Sequence, residues 1–140
     1  MNKLLKAFLA LVALAASAPV TAAAPIDGLW VTEERSGEIR VASCGATRCG
    51  RLVKFLEVPP QGVDQRDVNN PDKSMRNRRV LGLAILSGFR PDGDLWRGTI
   101  YDPKTGRSYR SVVRRKSAST LEVKGCIGPF CQTQLWTRAD

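Results

Sequence analysis

The chain has 140 residues, a formal charge of +9 at pH 7, four cysteines and no histidine. Without histidine the commonest general base near neutral pH is missing, and no Gly-x-Ser-x-Gly or Ser-x-x-Lys nucleophile motif occurs, so an enzyme is not expected. The length suits one domain with a modest core.

Residues 1–24 read as a secretory signal. Lys3 and Lys6 make the positive start, Ala7 to Ala16 the apolar core, and Val20 to Ala24 the small-residue cleavage zone. The apolar core is too short to span a bilayer, and no later run is long enough. No cysteine sits at the cleavage zone, which argues against a lipid anchor. The expectation is a single exported, periplasmic domain over residues 25–140. Loss of Lys3 and Lys6 takes the charge from +9 to +7. Such a surface either meets anionic envelope components or simply keeps the protein solvated, and in that compartment nucleic acid is a poor partner.

Asp27 to Glu34 reads as a first strand, and Gly37 turns it into Glu38 to Cys44. A third strand runs from Cys49 to Glu57. Residues 58–79 are polar, rich in turn formers and long for a connection. Within them Asn70 as N-cap, Pro71 at the first helical position and Asp72 in the first turn predict a short helix over 71–77. Val80 to Phe89 resumes as a strand. Leu95 to Tyr109 is a hairpin: Trp96, Gly98 and Ile100 share one face, and Asp102, Pro103 and Gly106 supply the turn. The second arm runs from Arg107 to about Lys116, Thr120 to Cys126 returns, and Gln132 to Arg138 ends the pattern. Eight strands linked mostly by hairpins close most economically into an up-and-down antiparallel β-barrel, with a two-sheet β-sandwich as the alternative.

In a small exported domain four cysteines point to two disulfides. Both pairs are spaced Cys-x4-Cys around turn residues, which predicts Cys44 to Cys49 and Cys126 to Cys131, with the crossed pairings left open. Without histidine or a shorter cysteine spacing, a zinc site is not expected. Asp67, Asn69, Asn70 and Asp72 place four oxygen-bearing side chains close together, but they lack the glycine and glutamate of an EF-hand loop. Capping and turn formation account for them with fewer assumptions, so no metal or other cofactor is expected.

Arg76, Arg78 and Arg79, with Arg66 and Lys73 nearby, form the densest basic run. Folded over a barrel mouth, these arginines would clamp a carboxylate or phosphate head group. Trp30, Trp96, Trp136, Tyr109 and Phe89 are expected inside, with Trp96 and Tyr109 beside any ligand.

Several short words occur in order along the chain: Gly28-Leu29-Trp30, Cys44-Gly45 with Cys49-Gly50, Asn70-Pro71-Asp72, Leu81-Gly82 with Ile85-Leu86, Ile100 to Pro103 with Gly106, Val123 to Cys126, and Gln134-Leu135-Trp136 with Arg138. In these the chain resembles the domain-of-unknown-function family 2147, small exported bacterial proteins. The resemblance implies a small lipocalin-like barrel and no established activity. Cys131 and the Arg76, Arg78, Arg79 run depart from the family pattern. Gly28-Leu29-Trp30 also resembles the Gly-x-Trp signature of lipocalin and calycin barrels, which implies Arg138 stacked over Trp30 at the closed end. The functional expectation is a monomeric carrier for a small, largely apolar or lipid-like ligand with an anionic head. The alternative is a filled barrel acting through its surface on a protein or polysaccharide partner.

Overall fold

The computed structural model describes residues 11–19 and 21–139, so the leader expected over residues 1–24 lies partly outside the described residues. The described part of that leader has no regular secondary structure. No described helix is long and apolar enough to cross a membrane.

Eight strands follow: β1 (Gly28–Val31), β2 (Gly37–Cys44), β3 (Thr47–Phe55), β4 (Ala84–Asp92), β5 (Leu95–Asp102), β6 (Arg107–Arg115), β7 (Thr120–Ile127) and β8 (Phe130–Arg138). They form a closed barrel in sequence order, each antiparallel to its neighbours, and β8 returns to β1. The sandwich alternative is therefore not needed. The β5–β6 turn forms for the reasons its residues suggest. Gly106 N–H donates to Asp102 O (2.8 Å), Asp102 Oδ1 accepts from Lys104 N (2.9 Å), and Gly106 takes φ of +73°.

Two segments differ from the expectation. The helix over 71–77 is a single 3-10 turn, Lys73–Met75, capped by Asp72 and not by Asn70. Asn70 Oδ1 accepts instead from Asp72 N–H two residues on (2.9 Å), an Asx turn that competes with helical winding. The fourth strand starts at Ala84, because Leu52 exchanges backbone hydrogen bonds with Leu83 O (3.0 Å) and Gly82 N (2.7 Å), ahead of the ladder proper. Both disulfides join the expected partners, Cys44 to Cys49 and Cys126 to Cys131. The first lies on the β2–β3 hairpin and the second on the β7–β8 hairpin, at opposite ends of the barrel.

Barrel closure depends on few backbone bonds. β1 meets β8 at only two register positions, Trp30 with Arg138 and Val31 with Thr137. Side chains complete the seal. Trp30 is fully buried, and the guanidinium carbons of Arg115 and Arg138 each lie 5.5 Å from its ring. Residues 24–27 are drawn across the same end: Trp30 Nε1 donates to Ile26 O (3.0 Å), Trp96 Nε1 to Ala24 O (2.9 Å) and Arg115 Nη1 to Pro25 O (3.1 Å). Asp27 pairs with Arg48 at 2.8 Å, and Arg48 in turn sits over the Trp96 ring. Cation–π contacts of this kind contribute about 0.5–2 kcal/mol each.

Above this seal the lower barrel is packed solid by Ile26, Leu86, Phe89, Val113 and Leu121, all essentially inaccessible. Gly98 makes the packing possible, since a Cβ there would lie 2.5 Å from Phe89 Cδ2 and 2.6 Å from Ser87 O. Gly125, on β7, differs: a Cβ would meet only Ile100 Cγ2 at 3.5 Å and Tyr109 Cβ at 3.8 Å, ordinary contact distances. The same substitution at the two sites therefore has unequal costs. Gly98→Ala is expected to lower the unfolding free energy by about 1–3 kcal/mol through overpacking, while Gly125→Ala stays near wild type. Urea denaturation of both variants checks this, and equal costs would contradict it.

Candidate ligand-binding cup

At the other end the barrel is not filled. The β1–β2, β5–β6 and β7–β8 turns and the long connection after β3 surround the mouth of a cup of about 1120 Å³. Ile39, Leu52, Val123 and Trp136 line its lower part, and Ile85, Ile100, Tyr109 and Gln134 its walls. The cup exists because β7 presents Gly125 inward beside Ile100 and Tyr109, where an apolar side chain would fill the space. Val58, Val68, Ile127 and Phe130 stand exposed around the rim, with Phe130 80% accessible.

The charged residues that line the cup, Glu34, Glu57, Arg66, Asp102 and Lys104, lie on turns, on the long loop or at a strand end. Lys104 Nζ is 3.1 Å from Glu34 Oε2, and Asp102 accepts hydrogen bonds within its own turn. Arg66 Nη1 donates to Asn77 O (2.9 Å). The walls between the strand ends are apolar or neutral polar.

The long loop is fixed across the mouth by Asp67, whose residue surface is fully buried. Its carboxylate accepts from Tyr101 Oη (2.6 Å), Asn70 Nδ2 (2.9 Å) and Arg78 Nε (2.9 Å). Burial alone would push this carboxyl up, but the hydrogen bonds from Tyr101, Asn70 and Arg78 and the charge of Arg78 outweigh it, and the group stays below its usual value of 3.8. Burial and the Asp67 bond push the Tyr101 phenol up to about 12, so it keeps the proton it donates. Nearby, Asn69 Nδ2 reaches Pro103 O (3.3 Å) and Lys104 O (3.0 Å). Gly106 is obligatory here, because a Cβ would run into Asn69 O. Val80, at the end of the loop, is buried and lines the cup.

This arrangement relocates most of the residues expected around a ligand. Arg76 Nε donates to Asn70 O (2.7 Å), Arg78 holds Asp67, and Arg79 Nη2 lies 3.0 Å from Asp64 Oδ1. None of the three lines the cup; each turns one donor to an acid or carbonyl of its own loop. Trp96 belongs to the closed end. Tyr109 does line the cup, and Trp30 and Arg138 come together as the barrel seal. The oxygen-bearing group Asp67, Asn69, Asn70 and Asp72 is occupied in building the loop, with Asp72 Oδ1 accepting from Ser74 N (3.0 Å). Gly125 and Gln134 stand in words that carry the family resemblance but were not expected beside a ligand, although the period-2 run Leu121, Val123, Gly125, Ile127 places Gly125 on the inward face.

Asp67 also sets an acid dependence. A carboxylate held below its unfolded value adds stability above that value and loses it as pH falls through the folded one. Asp67→Asn is therefore expected to cost about 1–3 kcal/mol at neutral pH, since an amide nitrogen would face donors. The gap to wild type should shrink on acidification below the ordinary 3.8. Chemical unfolding across pH checks both; a gap that persists or widens in acid would contradict the assignment.

Comparison with known proteins agrees with this architecture. No curated protein sequence matches the chain. A solved structure, "Protein HP1028 from the human pathogen Helicobacter pylori belongs to the lipocalin family", superposes with a TM-score of 0.73 at 20% identity, over 83% of this chain and 84% of that one. The family model "Uncharacterized protein conserved in bacteria (DUF2147)" matches residues 28–138, so the chain is a member of that family.

Proposed function

We propose that this protein is a carrier or binding protein for a small, largely apolar molecule held in the cup. The observation behind the reading is the division of the barrel into a packed base and a mainly apolar hollow of about 1120 Å³, just above the roughly 300–1,000 Å³ of typical small-molecule sites. The lipocalin-like fold supports it by analogy alone. Exposed Phe130, Ile127, Val58 and Val68 at the rim offer an apolar approach to the mouth. The reading as a binder and not a catalyst rests on the lack of histidine and of a nucleophile motif in the sequence. Two disulfides and a leader-like start are consistent with work outside the cytoplasm, in the periplasm. The anionic head group expected from the arginine run is not part of this reading, because those arginines do not line the cup.

Gly125 makes the reading testable without touching the base. The purified protein is expected to take up the neutral fluorescent dye N-phenyl-1-naphthylamine, and Gly125→Leu, which places four carbons in the cup, is expected to weaken uptake while melting close to wild type. A folded Gly125→Leu variant that binds the dye as the wild type does would contradict the assignment of the cup.

A further inference from the structure

We infer that the cup selects an apolar molecule carrying an uncharged oxygen acceptor, an ester, amide or ketone carbonyl or a hydroxyl, and that Gln134 recognises that oxygen; this rests on the carrier reading above. Trp136 Nε1 donates to Gln134 Oε1 at 2.9 Å. An indole N–H can only donate, so this bond assigns the amide: Oε1 faces Trp136 and Nε2 turns away from it. Gln134 lines the cup, opposite Val123 in the ladder, and among the described residues its Nε2 has no protein acceptor. Two N–H donors held in fixed orientation on a mainly apolar wall need an acceptor, which is water when the cup is empty and a ligand oxygen when it is full.

Charge decides which oxygen. The charged groups that line the cup, Glu34, Glu57, Arg66, Asp102 and Lys104, contain three acids and two bases and sit at the mouth, where Lys104 is paired with Glu34. A carboxylate brought down to Gln134 would lose its hydration with no cation beside it, a penalty that one amide does not offset. A carbonyl or hydroxyl gives up far less on entering and regains its hydrogen bond.

The test uses the dye-loaded wild-type protein at pH 8 and four competitors of one chain length: 1-decanol, methyl decanoate, decanoate and decyltrimethylammonium. Decanol and methyl decanoate are expected to displace the dye at concentrations about tenfold lower than either charged compound. Gln134→Glu keeps an acceptor for Trp136 but replaces the donor by a carboxylate, and should weaken methyl decanoate about tenfold more than it weakens the dye. Equal competition by decanoate, or unchanged methyl decanoate affinity in folded Gln134→Glu, would overturn this inference and leave the carrier reading intact. Absence of dye uptake by the wild type would bring down both. Should Gln134→Glu fail to fold, the comparison of methyl decanoate with decanoate in the wild type decides alone.

Discussion

Trp30 is the point at which the barrel is both closed and plugged. β1 gives β8 only two register positions, too few to seal a sheet of eight- and nine-residue strands by backbone hydrogen bonding alone. The indole supplies the missing contact. It brings Arg115 from β6 and Arg138 from β8 together at the closed end, and its N–H donates to Ile26 O of the incoming segment. Gly28 belongs to the same device, since the Arg138 guanidinium lies 3.3 Å from where its Cβ would be and its φ of +143° suits glycine. Here Arg115, half-buried, lies against the Trp30 ring and donates to Pro25 O, while Ile26 O and Ala24 O accept from Trp30 and Trp96, which is why the chain ahead of β1 is structural and not a loose tail from Ala24 onward.

With one end sealed, inward-facing glycines decide what the rest of the barrel does. Gly98 and Gly50 let Phe89 and Leu86 cross the lower lumen: a Cβ at Gly98 would collide with Phe89, and one at Gly50 would press on Leu86 and Ile39 at 3.0 Å. Gly125 has no such occupant, and the space over it remains open toward the mouth. The same residue type thus produces a solid base in one layer and a cup in the next. The long loop then frames the mouth rather than filling the lumen, because the buried Asp67 carboxylate ties it to Tyr101 on β5 while Asn69 ties it to the β5–β6 turn.

Much of the fold was legible in the sequence because it is written locally. Period-2 alternation, the Asp102 to Gly106 turn and the cysteine spacing are properties of short segments, and eight such segments with short links leave few ways to close. The Trp30–Arg138 pair was legible through resemblance to Gly-x-Trp barrels, while the second arginine, Arg115, was not, since its role appears only when β6 is placed beside β1's end. The site was less legible. The dense arginine run looked like a clamp, but its charges are matched by Asp64 and Asp67 and by a carbonyl at Asn70, all within the same loop, and a run of charge does not reveal which side of a loop it faces. Cavities are properties of what is missing across a lumen, so Gly125 carries its meaning only once Ile100 and Tyr109 are seen beside it. The helix over 71–77 failed for a local reason: Asn70 and Asp72 each hydrogen-bond backbone two residues ahead, which favours turns over continued winding.

The central claim is that a filled base supports an open, mainly apolar cup. Amide chemical shifts of uniformly ¹⁵N-labelled protein, followed while N-phenyl-1-naphthylamine is added, test it most directly. The account predicts that Ile100, Tyr109, Gly125 and Gln134 shift while Phe89, Val113 and Leu121 stay in place. Shifts spread through the base, or confined to the outer face of the strands, would contradict it.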